Sequence, residues 1–209
     1  MNLKSLGWVV AFALLAVFVG GGFDTAGTKI GVVDIAKVFN NSDYAAKQDD
    51  LLKAYGESRS SVLDFLSTYQ VGTAAQATRI RDLSVENPQP DADKNELDRV
   101  KKEVMAQDAA YKTLLTKQNP TSAEVQQIND FNGRVQATQG LLKDWSTQFE
   151  DDVNNYKEKL RAATMDRVQT AIKGVGVKGG YTILFSADAA PFGANDLTDD
   201  ALKSMNAQK

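Results

Sequence analysis

Gly174-Val175-Gly176-Val177-Lys178-Gly179 spells G-x-G-x-x-G, the spacing by which a glycine-rich turn cradles a dinucleotide pyrophosphate. That chemistry needs the turn after a strand and before a helix, so that the helix N-terminus meets the phosphate. Here a helical pattern comes first and a strand pattern follows. The glycines are therefore expected to form a helix C-cap and a flexible hinge. Asp91-x-Asp93-x-Asn95 opens like a calcium loop, but Glu96 stands where the loop needs glycine and Lys102 where it needs glutamate. Helix capping is the simpler reading. The runs Asp49-Asp50, Glu150-Asp151-Asp152 and Asp199-Asp200 bring carboxylates together in sequence, yet neighbours on a helix point about 100° apart and do not converge on one substrate. They read as a solvated face, and no catalytic, cofactor-binding or metal-binding residue is assigned.

Composition narrows the chemistry further. The 209 residues include no cysteine and no histidine. Zinc, haem and copper sites built on those ligands are excluded, as are Ser-His-Asp and Cys-His catalysis and any disulfide framework. With 24 basic and 27 acidic side chains the net charge is −3, so no basic surface invites nucleic acid.

Residues 1–27 read as a leader. Lys4 is followed by Leu6–Val19, fourteen residues without a charge, and then by Gly20-Gly21-Gly22. A basic start and a run of this length match a secretory signal peptide. Counted through to Phe23, the run reaches about eighteen residues, which leaves a retained membrane anchor as the alternative. Either way the remainder lies outside the cytoplasm, and a membrane contact would come only through an uncleaved leader. Without the leader, roughly 40% of the residues are apolar and many are alanine, a lean supply for a compact core. Elongated helices that share burial with a partner are expected.

Four prolines, Pro88, Pro90, Pro120 and Pro191, divide the chain. Over 43–86, Leu52, Tyr55, Val62, Leu66, Tyr69, Ile80 and Leu83 alternate in steps of three and four, interrupted by Arg59, Thr73 and Gln76. One helix of roughly 66 Å is predicted, weakest at Val71–Thr78 around Gly72. Pro88-Gln89-Pro90 marks a turn, after which Asp91 or Asp93 caps a second helix over about 92–118 with Leu97, Val100, Val104, Tyr111 and Leu114 on one stripe. Thr121-Ser122-Ala123-Glu124 reads as a capping box. A heptad pattern then runs through Val125, Ile128, Val135, Leu142, Phe149, Val153, Tyr156, Leu160 and Ala163 to Ile172, a helix close to 78 Å long. The expectation is an antiparallel helical coiled-coil arm over 43–173 with a helical tip insertion around 87–120.

Strand signals flank this stretch at both ends. Lys29–Ile35 and Tyr181–Ser186 are short β-rich runs. The second leads to a turn at Ala187-Asp188-Ala189, a possible edge strand at Pro191-Phe192-Gly193, and a last helix capped by Thr198 with Asp199 and Asp200. The fold class is therefore α+β, with a small body made from 28–42 and 174–209. Its 51 residues carry no staple, and a core of that size seldom supplies more than ~3–5 kcal/mol. Association is expected to bury Ile30, Val32, Ile35, Ile183 and Phe185 between chains.

KIGVVDIAKVF near the start, RVQTAIK before the glycines and YTILFSADAAPFGANDLTDDALKSM at the end resemble the Skp/OmpH family of periplasmic chaperones. The resemblance implies a strand and a long helical hairpin leading back to a hairpin of strands and a terminal helix. It also implies a homotrimer whose β body carries three arms around a cavity. That cavity would hold unfolded outer-membrane or envelope proteins without ATP or cofactor, and a subset of Phe65, Tyr69, Tyr111, Trp145 and Phe149 would line it. For those aromatics, helix–helix packing is the competing reading. With 21 acidic and 18 basic side chains over 43–173, long-range steering of charged partners is not expected. The rival reading is a membrane-anchored structural coiled-coil tether in the envelope, held by an intact leader.

Overall fold

The structure is a computed structural model that describes residues 28–190 and 195–208. The leader and the edge strand expected at Pro191–Gly193 lie outside the described residues. Contacts group the chain into two units, one drawn from its two ends up to Val38 and from Val168, the other spanning Phe39–Arg167.

In the first unit, strand β1 (Ile30–Val33) pairs in parallel with β2 (Ile183–Ser186), Ile30 opposite Ile183 and Val32 opposite Phe185. Val32 turns its N–H and C=O to the opposite edge, donating to Asn195 O and accepting from Leu197 N, each at 2.8 Å. β1 is thus central, flanked by β2 on one edge and by the return segment at Asn195–Leu197 on the other. Consecutive Val32 and Val33 point to opposite faces of the strand and both are buried, so β1 is covered on both faces at this point. The run ends sooner than its composition suggests, because Asp34 starts a helix. Its Oδ1 accepts from Lys37 N at 2.7 Å, and α1 (Ile35–Asn40) follows. Ile35 is therefore helical, not part of the strand.

The second unit is helical. α2 (Asp43–Thr68) begins at an N-cap Ser42, whose hydroxyl accepts from Ala45 N. The single helix expected over 43–86 breaks after Thr68, and α3 (Ala74–Val85) is separate. Two of the three heptad interruptions explain the break. Thr73 and Gln76 form a reciprocal capping box, so they start a helix where the seam reading had them as gaps. Gly72 leaves room for Val104, whose methyls lie 3.2–3.3 Å from where a Cβ would stand. The third interruption, Arg59, is buried with its guanidinium 3.3 Å from the Tyr55 ring centroid.

α4 (Asp91–Leu115) has Pro90 at its cap with no side-chain bond. Asp91 and Asp93 are inside its first turn, so they favour the helix dipole rather than capping as expected. α5 (Ser122–Lys178) opens on the expected box: Thr121 N–H donates to Glu124 Oε2 at 2.8 Å, and Glu124 N–H donates to Thr121 Oγ1 at 3.3 Å. It runs six residues past Ile172 and takes Gly174 and Gly176 into the helix, which removes the hinge. The stop is Gly180, at φ 66°, with Tyr181 N–H bonded to Gly176 O and Gly180 N–H to Val177 O. After β2 and the turn at Ala187–Ala189, α6 (Thr198–Asn206) closes the chain. Thr198 does not cap it. Its hydroxyl accepts from Asp34 N and donates to Asp196 Oδ1, tying the start of α6 to the end of β1.

Candidate contact surfaces

Parallel pairing sets the face on which each strand residue lies. Side chains alternate along a strand, so the opposed pairs Ile30–Ile183 and Val32–Phe185 share one face of the two-stranded sheet. Four of the five residues expected at an interface between chains are thereby brought together, while Ile35 stands apart on α1. The four differ in access. Ile30 is 43% exposed and Ile183 37%, whereas Phe185 is half-buried and Val32 is buried within its own chain. The opposite face meets Tyr181, Leu184 and Leu197, which crowd the position of a Cβ on Gly31. Val177, the most exposed apolar side chain near this sheet in sequence, was missed because its stretch read as a hinge.

Beside the sheet, Asp196 accepts from both the hydroxyl and the N–H of Thr198, and these bonds hold its carboxyl below the ordinary aspartate range, with Lys37 adding to the effect. The same corner carries the Lys37–Asp199 ion pair at 3.1 Å.

The aromatics of the second unit divide by burial. Trp145 and Phe149, 5% and 6% exposed, pack with Val62, Leu66 and Ala77 where α2, α3 and α5 meet. Their rings serve helix packing, the competing reading given for these aromatics. The Arg81 guanidinium lies 4.8 Å from the Trp145 ring centroid and covers it further. Phe65 and Tyr69 are half-buried, 5.0 Å apart between ring centroids, against a second cluster of Ile80, Val100 and Val104. Tyr111 is half-buried too, donating to Asn132 Oδ1 at 2.6 Å with its ring 5.3 Å from that of Phe131. Tyr55 stacks on Tyr156 at 4.2 Å, and Gln139 donates to Gln70 at 3.3 Å.

Around the α4–α5 turn the side chains are held by polar bonds. Glu124 accepts from Lys117 Nζ at 2.6 Å and from Thr121, which together hold its carboxyl down to about 2. Val125, a heptad core position in the sequence, is exposed here, and so are Leu115 and Met105. The last two follow the stripe residues Leu114 and Val104 by one position, which is the only signal that marks them.

The distinctive features among the described residues are packed helices and apolar side chains left at the surface. The chain matches the family described as "Outer membrane protein (OmpH-like)" over residues 29–205, and it belongs to that family. This is a periplasmic chaperone family rather than an enzyme family. No individual curated protein matches it. Among the described residues no helix is long and apolar enough to cross a membrane.

Proposed function

We propose that the protein is an ATP-independent holdase for unfolded outer-membrane proteins, working in the periplasm as a homotrimer. In this reading α2 and α5 form an antiparallel arm, three arms enclose the cavity, and the sheet faces carrying Ile30, Ile183 and Phe185 meet between chains. The observation that carries it is that the family match spans residues 29–205, a range that takes in both strands and all the helices up to the last residues of α6. Two features support the geometry. Tyr55 pairs with Tyr156 and Gln70 with Gln139, an order that suits antiparallel helices. Adjacent Ile30 and Ile183 leave an apolar strip on a unit too small to spare it.

Phe65, Tyr69 and Tyr111 are the client-contact residues in this reading, since each is only half-buried. Contacts of that size are individually weak, and release without ATP requires it. The test is suppression of aggregation of a denatured β-barrel protein by stoichiometric trimer, together with sedimentation of the 28–209 chain. Protection and a trimeric mass are expected. A stably folded lone subunit at micromolar concentration, or no protection at any ratio, would overturn the reading. An intact Met1–Phe23 segment recovered in membranes would favour the tether instead.

A further inference from the structure

The stretch Met105–Leu142 has a charge pattern unlike the rest of the second unit. It contains six charged side chains, and all six are paired with one another. Lys112 meets Asp108 at 2.6 Å, Lys117 meets Glu124 at 2.6 Å and Arg134 meets Asp130 at 2.5 Å. From Val135 to Leu142 there is no charge at all, whereas Lys143–Arg167 carries eleven. Paired charges of opposite sign cancel beyond a few ångströms, so this stretch projects almost no field.

It also buries its own apolar residues only in part. Phe131 is the one buried apolar side chain between Met105 and Leu142. Leu115 is 54% exposed, Val125 42% and Met105 43%, three of the seven large apolar side chains exposed among the described residues. Leu115 and Val125 flank the same turn between α4 and α5.

We propose that this self-neutralised stretch is a contact surface for apolar, uncharged segments of an unfolded polypeptide. The proposal rests on the holdase reading and specifies where the chain is touched and by what chemistry. A charged partner finds no unpaired charge here to answer it. A second copy of the chain is disfavoured by area. Three half-exposed aliphatic side chains offer on the order of 150 Å², against about 800 Å² per partner in a stable interface. Contacts of that size are short-lived and interchangeable, which is what an unfolded chain in exchange needs.

The experiment uses the full chain with Met105→Gln, Leu115→Gln and Val125→Gln combined, since glutamine keeps helix propensity while removing the apolar surface. Leu115→Gln alone is the fallback should the triple variant lose helicity. A denatured β-barrel protein is titrated at about 50 and about 500 mM salt. Wild-type affinity is expected to change less than about twofold with salt, and the triple variant to bind about tenfold more weakly with its assembly mass unchanged. Asp151→Lys with Glu158→Lys, on the charged stretch, is expected to leave affinity within about twofold. Unaltered client binding by the glutamine variants overturns the proposal while the holdase stands, as does a change in assembly mass, which would make the patch an interface between copies. Loss of wild-type binding on raising salt overturns it too. A wild-type protein that binds no client removes the holdase reading and this surface with it.

Discussion

Two stretches of the second unit are made of similar amphipathic helices and are held in different ways. Where α3 lies against α2, α4 and α5, the helices gain a third layer. Val62, Leu66 and Ala77 close over Trp145 and Phe149, and Ile80 closes over Val100 and Val104. Between Met105 and Leu142 that layer is missing. Phe131 is the one buried apolar side chain there, and the helices are also tied by a capping box, three ion pairs and the Tyr111–Asn132 hydrogen bond. The lesson is geometric: two helices have one shared seam, so apolar positions off it stay in water unless a third element covers them.

The strongest way to break this contrast is to empty the three-layered part. Trp145→Ala removes a buried indole from between three helices, and burial losses of that kind cost about 3–5 kcal/mol. Leu115→Ala, on the other stretch, is expected to change stability by less than about 0.5 kcal/mol because its side chain is already in water. Denaturant unfolding followed by far-UV circular dichroism gives both values. Near-equal costs would mean that the two stretches are not held differently after all.

A smaller effect tests whether α3 supplies the third layer. Thr73 Oγ1 accepts from Gln76 N, and Gln76 Oε1 accepts from Thr73 N, so Thr73→Ala removes the hydroxyl and leaves the Gln76 N–H without its partner. A loss of about 1 kcal/mol is expected. Amide exchange should quicken first in α3 and at the Trp145 cluster, while the helix starts at Ser42 and Thr121 keep their protection. Uniform acceleration across all three would show that α3 is not a separately anchored layer.

The contrast also separates what was legible in the sequence from what was not. Heptad spacing found the seams because burial repeats with the helix period, and Val62, Leu66, Val100, Val104 and Phe149 are indeed buried. Periodicity treats every interruption as noise, however. Thr73 and Gln76 were a cap, and Arg59 was buried against Tyr55, so the reading of one long helix absorbed the signals that divide it. Val125 kept the period and is nonetheless exposed. A heptad position states which way a side chain faces, and only the tertiary partner decides whether something is there to meet it. The glycines near 176 show the same limit at the other unit. Their spacing suggested a hinge, but Gly174 and Gly176 continue the helix, and Leu184 packs where a side chain on Gly176 would begin. The Ile30–Ile183 pairing was recoverable only as a meeting of two β-rich runs. Its parallel sense and its register depend on where α5 ends, which the sequence placed six residues early.

The smallest expected effect lies at the α4–α5 turn, where polar bonds stand in for a core. Glu124 has its carboxyl lowered from 4.5 to about 2 by Lys117 first and by Thr121 after it. A depressed carboxyl stabilises the fold in its charged form, so its contribution is complete above the unfolded value near 4.5. It is lost as pH falls from there through about 2, because the folded state then has to take up a proton that breaks the Lys117 and Thr121 bonds. Acid should therefore fray the first turn of α5 before it touches the Trp145 cluster, which has no titrating group among its buried members. Amide exchange at Glu124 and Val125 between pH 5 and pH 2 measures this, with Glu124→Gln as the control that removes the titration. In that variant the first turn should be equally labile at both ends of the range. If the variant instead keeps the pH dependence, then the fraying comes from another carboxyl, and the turn is not held by the bonds that distinguish it from the packed stretch.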